Sequence, residues 1–299
     1  MTQINNKDLF NWCKVSADKL EKHPALKIPF RMVEDSAAMG ELMAKELVVE
    51  IRNAFIAGVP FRAILPCGPK CWYAPFARMV NEEKLTLHHV TVFHMDECLT
   101  WQGKLLPRNH PYNFRTFMEK YFYDPIAPEL GVPLSQRVFP EPSRIDEIKS
   151  RIAELPISIT IGGWGQDGHV AYNQTRRHSF SAITIEQLLQ SELRVQENNY
   201  DTIIALANRS FGTAYQFVPP MSITLGLKEC LSARKIRLYS DTGAWKQTAL
   251  RVALFSEPTV EYPITLLQTH DDALITATKE TASHPISLEP DLQYEDLIV

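Results

Sequence analysis

The chain has 299 residues, 45% of them hydrophobic and 22% charged, which are ordinary values for a soluble globular enzyme of one large domain or two modest ones. A net charge of −4 gives no reason to expect nucleic acid or an anionic membrane as a partner. No apolar run is long enough to span a bilayer, and the polar first residues do not resemble a signal peptide. Five cysteines without framework spacing favour reduced thiols and a cytoplasmic location.

The spacing of apolar residues predicts an α/β fold. Residues 1–30 are predicted to be an N-terminal helical extension, and residues 31–299 a single domain. Strands alternate with helices along the chain, so we expect a mostly parallel sheet with helices on both faces. Helices are predicted at residues 7–20, 35–55, 72–82, 109–121, 187–199 and 221–231, with a last one ending near residue 255, and strands at residues 61–65, 90–93, 157–161, 203–206, 235–239, 264–267 and 273–277.

The first predicted strand runs into the loop Pro66-Cys-Gly-Pro-Lys-Cys71, which precedes a helix. A strand, a glycine-containing loop and a helix N-terminus suit an anion, and Lys70 adds a positive charge. Pro69 argues against a full cradle of backbone donors because it has no N–H group. The two cysteines are interpreted as free thiols, since no second pair of soft ligands accompanies them.

The second strand brings Asp96 and Glu97 to the same end of the sheet. A general base needs a carboxylate that is held near the substrate and partly removed from water. The alternative is that Asp96 caps the next segment while Glu97 is solvated. The motif alone does not decide between these two interpretations.

The central motif of the chain is the stretch over residues 157–173, which opens with a predicted buried strand over residues 157–161. Gly163 and Gly165 allow the backbone to turn tightly and approach a ligand closely. Asp167, His169 and Asn173 then lie just past the strand's carboxyl end, where open α/β sheets bind ligands. A capping aspartate and a surface histidine are the simpler alternative. We favour a functional site, because an acid, an imidazole and an amide seldom converge by chance.

Three further basic groups are candidates for an anion site. They are the cluster over residues 176–178, Arg209 and Lys246. Each could meet an anion at the sheet edge or could be exposed to solvent, and for residues 176–178 a solvated loop is the favoured interpretation.

Taken together, these motifs resemble those of the glucosamine-6-phosphate deaminases. Phe93-His-Met-Asp-Glu97 is similar to Phe-Asn-Met-Asp-Glu in that family. The stretch Gly162-Gly-Trp-Gly-Gln-Asp-Gly-His-Val-Ala-Tyr-Asn173 resembles Gly-Gly-x-Gly-x-Asp-Gly-His-Ile-Ala-Phe-Asn. Ala207-Asn-Arg-Ser-Phe211 looks like Ala-Asn-Ser-Arg-Phe. The resemblance spans roughly residues 32–285 and implies a Rossmann-like fold, which the 6-phosphogluconolactonases share.

The resemblance also implies a reaction and roles for particular residues. Glucosamine 6-phosphate and water would give fructose 6-phosphate and ammonia, without a metal or an organic cofactor. Asp96 would move a proton between C2 and C1 of the open-chain sugar. His169, with Asp167 beside it, would assist opening of the pyranose ring, and Lys246 would hold the phosphate. The family's members are often hexamers, so a homo-oligomer is expected.

Three departures from the family pattern concern the same site. Gln174 stands where the family has a glutamate that pairs with the histidine; a neutral amide can orient His169 but cannot stabilise an imidazolium by charge. Gly68, Pro69 and Lys70 replace Gly-Gly-Thr or Gly-Ser-Thr in the phosphate loop. Arg209 lies one position before the family's phosphate-binding arginine. Gly68, Lys70, Arg209, Lys246, Glu97 and Gly163 are therefore expected to line the substrate site, with Asp96, Asp167, His169 and Gln174 as catalytic candidates.

Two other functions remain open at this stage. Gln174 and Pro69 favour a catalytically weak or inactive protein that binds a sugar phosphate and has a regulatory role. A lactonase of the same fold would use His169 as a base towards water, but Tyr172 and Asn173 follow the deaminase form. If position 174 alone limits turnover, Gln174→Glu is expected to speed ring opening.

Overall fold

The computed structural model describes residues 4–175, 180 and 182–298. Seven of its strands form one sheet in which every neighbouring pair is parallel. Among the described residues no helix is both long and apolar enough to cross a membrane. The strands are β1 (Phe30–Val33), β2 (Phe61–Leu65), β3 (Val90–His94), β4 (Asp96–Leu99), β5 (Arg137–Val138), β6 (Ile159–Gly162), β7 (Arg194–Glu197), β8 (Met221–Thr224), β9 (Lys235–Ser240) and β10 (Ala273–Thr278).

The order of strands across the large sheet is β1-β10-β9-β6-β2-β3-β5. The chain moves outward from β2 through β3 to β5, and then from β6 through β9 to β10 on the other side. Neighbouring strands β2 and β6 therefore mark the point where the direction of winding changes. In open α/β sheets ligands bind in the crevice outside the carboxyl ends of such strands.

Helices cover both faces of this sheet, as the sequence predicted. Side chains of β2 alternate between the two faces: Phe61, Ala63 and Leu65 pack with α3 (Ser36–Ile56) and α4 (Tyr73–Glu82), whereas Ile64 packs on the other side with α6 (Ile145–Ala153). Asp35 caps the start of α3, since its Oδ1 accepts the Ala38 N–H at 2.8 Å. The helices are α1 (Asn6–Lys14), α2 (Ala17–Leu20), α3 (Ser36–Ile56), α4 (Tyr73–Glu82), α5 (Phe114–Met118), α6 (Ile145–Ala153), α7 (Ile185–Leu189), α8 (Tyr200–Ser210), α9 (Leu227–Cys230), α10 (Gln247–Phe255), α11 (Lys279–Ala282) and α12 (Pro285–Leu288).

A second, three-stranded antiparallel sheet stands beside the first in the order β4-β8-β7. It begins where β3 ends, because only Met95 separates β3 from β4. The Met95 N–H donates to Leu65 O on β2, and Met95 O accepts from Leu225 N after β8. This one residue joins the two sheets and fixes the position of the next side chain, Asp96.

Several sequence predictions in the second half of the chain were wrong. The strand expected at residues 203–206 is part of α8, and residues 264–267 lie in a 3-10 helix, Pro263–Thr269. The helix expected at residues 187–199 is replaced by the end of α7 and by β7, and that at residues 221–231 is divided into β8 and α9. Residues 203–206, 221–224 and 264–267 are short runs whose apolar spacing fits either structure, and residues 187–199 are mostly polar, so tertiary pairing decides the structure of these segments.

The N-terminal segment packs onto the rest of the molecule. Helix α1 contacts α10 and α12. Leu20 and Ile28 are fully buried in the same core as α10, and Phe30 opens β1, which pairs with β10. The buried Arg251 of α10 donates from Nη2 to Val15 O and to Ala282 O. The predicted extension, residues 1–30, thus contributes part of the core that supports α10 and leads directly into the edge strand β1.

Candidate active site

A cavity of about 750 Å³ opens at the carboxyl edge of the sheet. Its walls come from the loop after β2, the β3–β4 junction, the loop after β6, the end of α8 and the segment after β9. These are the loops that flank the change of winding between β2 and β6. The topology therefore gathers residues that are far apart in the sequence around one space.

Asp96 stands at the wall of this cavity and is only partly exposed. Its backbone pairs with Thr224 in the small sheet. Burial and the charge of Glu97 raise the pKa of the Asp96 carboxyl, the charge of His169 opposes them, and the net result is a pKa of about 7. A carboxylate that binds a proton near neutral pH suits proton transfer to and from carbon.

Asp167 and His169 form a hydrogen-bonded pair in the turn after β6. His169 Nδ1 lies 2.5 Å from Asp167 Oδ1. Burial alone raises the pKa of Asp167, but the charge of His169 and the hydrogen bonds from it outweigh burial, and the net pKa is lowered. The carboxylate therefore stays ionised and orients the imidazole, whose ring lines the cavity.

Gln174, which the sequence analysis named as a catalytic candidate, lies against this pair. Its Nε2 is 3.0 Å from His169 Nδ1 and 3.3 Å from Asp167 Oδ2. Two residues at the start of α8 hold the amide from the other side: Thr202 through its hydroxyl and Asn199 through its backbone N–H. The sequence analysis missed both, because it ended a helix at residue 199 and placed a strand at residues 203–206, and so did not predict α8.

Lys246 and Arg209 meet at one side of the cavity. Lys246 ends a 3-10 turn, Gly243–Lys246, and its Nζ lies 5.7 Å from the centre of the Trp164 ring. Burial and the nearby charge of Arg209 lower the pKa of Lys246 to about 8. Neither side chain forms an ion pair with a carboxylate in the part of the chain that the structure describes. Two unpaired cations in contact with a cavity are suited to an anion.

The loop after β2 approaches the loop after β6 from the other side. A Cβ placed on Gly163 would lie 3.8 Å from Lys246 Nζ, 3.3 Å from Tyr239 O and 4.0 Å from Gly68 O. Lys70 in the same loop is exposed, and its Nζ lies 4.1 Å from the centre of the Phe117 ring. Gly163 therefore lies close to Lys246 and to Gly68, and Gly68, Lys70 and Gly163 all line the cavity.

Two polar residues of the motifs point elsewhere. Glu97 was expected beside the substrate, but it does not line the cavity. Its carboxylate accepts backbone N–H groups from Cys98, Phe114 and Arg115 at 3.0, 2.8 and 2.7 Å, so it holds the start of α5. The buried Asn173 donates from Nδ2 to Val170 O and Leu225 O and thereby fixes the central loop. Both side chains therefore bind backbone groups and hold loops in place.

The remaining observations concern a metal site, the basic cluster and one further residue of the cavity wall. In the described ranges, no three His, Cys, Asp or Glu side chains are arranged to hold a metal ion. The basic cluster over residues 176–178 lies outside the described residues. Tyr112, which the sequence analysis did not single out, lines the cavity and shares a 2.8 Å hydrogen bond with Ser210 at the end of α8.

Comparison with known proteins decides the family. The chain is 30% identical over 258 residues to a glucosamine-6-phosphate deaminase of Yersinia pseudotuberculosis, covering 83% of this chain and 88% of that protein. It is also 30% identical over 247 residues to a glucosamine-6-phosphate deaminase of Cronobacter sakazakii, covering 79% and 85%. The chain belongs to the glucosamine-6-phosphate deaminase family. No family model matches it.

Solved structures support the fold of this deaminase-family member. A monomeric glucosamine-6-phosphate deaminase superimposes with a TM-score of 0.70 at 20% identity, covering 85% of this chain and 98% of that one. A 6-phosphogluconolactonase from Trypanosoma brucei superimposes with a TM-score of 0.58 at 15% identity, covering 86% and 98%. At these identities the likeness concerns the fold alone.

Proposed function

We propose that the chain is an enzyme that converts glucosamine 6-phosphate and water to fructose 6-phosphate and ammonia. One observation carries this proposal. Asp96 and His169, which is hydrogen-bonded to the buried Asp167, line one cavity, and Lys246 and Arg209 at its wall form no ion pair with a described carboxylate. A proton-transferring carboxylate, an oriented imidazole and an anion site are the groups that this reaction requires.

His169 acts first, on the closed sugar ring. Its Nε2 takes the proton from the O1 hydroxyl as the C1–O5 bond breaks, and the O1 electron pair forms the C1 carbonyl. The electron pair of the broken bond goes to O5, which receives the proton back from His169. Asp167 holds the ring in place and stabilises the transient imidazolium from the Nδ1 side.

Asp96 acts next, on the open-chain aldehyde. It removes the proton from C2 and returns it to C1, while the aldehyde oxygen O1 gains a proton and the C2 amine loses one, so that the amino aldehyde becomes a ketimine with a hydroxyl group at C1. Water then adds to C2, protons pass from the added oxygen to the nitrogen, and ammonia leaves as the C2–N bond breaks and the C2 carbonyl forms. The raised pKa of Asp96 matches this task, since the group must both accept and release a proton near neutral pH.

The phosphate holds the substrate during these steps. Lys246 and Arg209 supply charge, while Gly68 and Gly163 let the two loops approach the phosphate closely. Lys70 adds a third cation, which compensates for the N–H group that Pro69 lacks. We therefore propose that the departures in the phosphate loop alter the anion site without removing it.

The deciding experiment measures release of ammonia and ketose phosphate from glucosamine 6-phosphate. Turnover by the wild type, lost in Asp96→Asn and kept in Asp124→Asn at an exposed site, is the expected result. Full activity of Asp96→Asn would refute the role of Asp96. Binding of sugar phosphates without turnover would favour a regulatory homologue, and hydrolysis of 6-phosphogluconolactone would favour a lactonase.

Location and assembly are further parts of the proposal. The five cysteines are free thiols, which supports a reducing compartment such as the cytoplasm. A homo-oligomer stays a prediction from the resemblance, whereas one solved relative is described as monomeric. Light scattering on the purified chain distinguishes the two states.

A further inference from the structure

The amide of Gln174 can take only one orientation in this site. Its Oε1 accepts the backbone N–H of Asn199 at 2.8 Å. A backbone N–H can only donate, so the oxygen must face Asn199 and the nitrogen must face Asp167, His169 and Thr202. The backbone N–H of Asn199 thus fixes the orientation of the Gln174 amide.

The hydrogen atoms around Gln174 can then be counted. Its Nε2 carries two of them and has three polar neighbours: His169 Nδ1, Asp167 Oδ2 and Thr202 Oγ1. The ionised Asp167 lies 2.5 Å from His169 Nδ1, a contact that requires a proton on that nitrogen. An Nδ1–H group cannot accept a hydrogen bond, so Gln174 donates to Asp167 and to Thr202.

Both carboxylate oxygens of Asp167 and both amide hydrogens of Gln174 then have a partner behind the imidazole. Oδ1 of Asp167 accepts from His169, and Oδ2 accepts from Gln174. Thr202, which is 3% exposed, takes the second amide hydrogen and prevents the amide from turning towards the imidazole. The remaining ring nitrogen of His169, Nε2, forms no hydrogen bond with any described residue and lies on the ring that lines the cavity.

We propose that Thr202 is a positioning residue: through the Gln174 amide it keeps the ring proton of His169 on Nδ1 and leaves the lone pair of Nε2 free to start ring opening as a base. The catalytic consequence rests on the function proposed above, whereas the position of the ring proton does not. Thr202 lies on the far side of Gln174 from the imidazole, so it acts on the rate without binding the reacting atoms.

This geometry reverses the expectation for Gln174→Glu. A carboxylate oxygen in place of Nε2 would lie about 3.3 Å from Asp167 Oδ2, so two like charges would meet unless a proton is shared. The same carboxylate oxygen would face the Thr202 hydroxyl as an acceptor, where the glutamine Nε2 is a donor. The glutamine is therefore part of a network built for an amide, and we expect the substitution to slow turnover.

The test observes the ring proton directly. Full-length protein labelled with ¹⁵N-histidine is compared by long-range ¹H–¹⁵N NMR among the wild type, Thr202→Ser and Thr202→Val, with His169 assigned through His169→Gln. The wild type and Thr202→Ser should carry the proton on Nδ1, and Thr202→Val should show a mixture of both tautomers. A wild-type proton on Nε2, or a Thr202→Val spectrum identical to that of the wild type, would overturn the inference.

Kinetics and a matched control complete the test. In Thr202→Val, kcat should fall roughly tenfold while KM stays within about twofold, and Thr202→Ser should restore kcat. Thr160→Val removes another buried hydroxyl, which donates to Cys230 O at 2.8 Å, and should change neither the tautomer nor kcat. If the wild type releases no ammonia yet keeps the proton on Nδ1, the proposed function fails and the tautomer assignment stands.

Discussion

The imidazole of His169 lies directly against the α-carbon of Gly165. A Cβ built on Gly165 would be 2.1 Å from Cε1 and 2.3 Å from Nδ1 of the ring, and 2.7 Å from Asp167 Oδ1. The turn is closed by the Gly165 N–H, which donates to His169 O at 2.9 Å. Position 165 therefore has to be glycine for the imidazole to reach the carboxylate, which gives a physical reason for this glycine of the motif.

The substitution Gly165→Ala should consequently abolish the Asp167–His169 hydrogen bond. We expect kcat/KM to fall at least about 100-fold, because the ring must leave its position. Steady-state kinetics measure the loss, and circular dichroism checks that the fold persists. Gly131→Ala is the matched control, since the nearest atom to its new Cβ would be at an ordinary 3.6 Å. Equal kinetic losses in both variants would contradict the argument.

Asp96 should lower the stability of the folded protein at alkaline pH. Its pKa rises from 3.8 to about 7 on folding, so its stabilising contribution is complete below the lower value and is lost as pH increases towards the higher one. Asp96→Asn should therefore raise the stability at pH 8 by on the order of 2 kcal/mol, after allowance for the cavity water near the carboxyl. Thermal unfolding at pH 5 and pH 8 measures this; a gain of the same size at both pH values would argue against the shift.

The pH dependence of kcat/KM should be bell-shaped. Activity should rise as pH increases through about 7, because the base form of Asp96 is the active one. It should fall above about 8, where the free enzyme loses the charge on Lys246. Lys246→Arg keeps its charge and should move the alkaline limb to higher pH. An alkaline limb that does not move would assign it to another group, such as the substrate amine.

The two lysines at the cavity should contribute differently to substrate binding. Lys246→Met should raise KM about 100-fold, since it removes a desolvated charge beside the glycine loops. Lys70→Met should raise KM only about fivefold, because its ammonium is exposed and held over Phe117. Lys45→Met on the outer face of α3 serves as the control and should leave KM unchanged. A larger effect at Lys70 than at Lys246 would place the phosphate nearer the loop after β2.

The sequence predicted the first half of the fold better than the second. Helix α3 and strands β2, β3 and β9 were anticipated because their apolar spacing is long and regular. Strand β8 and helix α8 were not, since residues 203–206 and 221–224 are short apolar runs that fit either structure. Their state depends on partners: β8 pairs with β4 and β7, and α8 packs beside the cavity.

In the candidate site, too, some features could be predicted from the sequence and others could not. Asp167 and His169 are two residues apart, so their pairing can be anticipated from local turn chemistry. Lys246 and Arg209 could be named as candidates from the motifs, but nothing in the sequence states that they converge. Thr202 carried no signal at all, because a threonine in an apolar run is indistinguishable from a core residue.

By itself, the sequence determined the type of fold, the family motifs and the local Asp167–His169 unit, because apolar periodicity and short-range turns are encoded within a few residues. Only the tertiary structure decided that Glu97 holds backbone amides instead of substrate and that Gln174 is clamped between Thr202 and Asn199. Those outcomes depend on which donors and acceptors meet across a folded core, where each buried polar group must find a partner. These partners are far apart in the sequence, so the sequence alone does not show which of them meet.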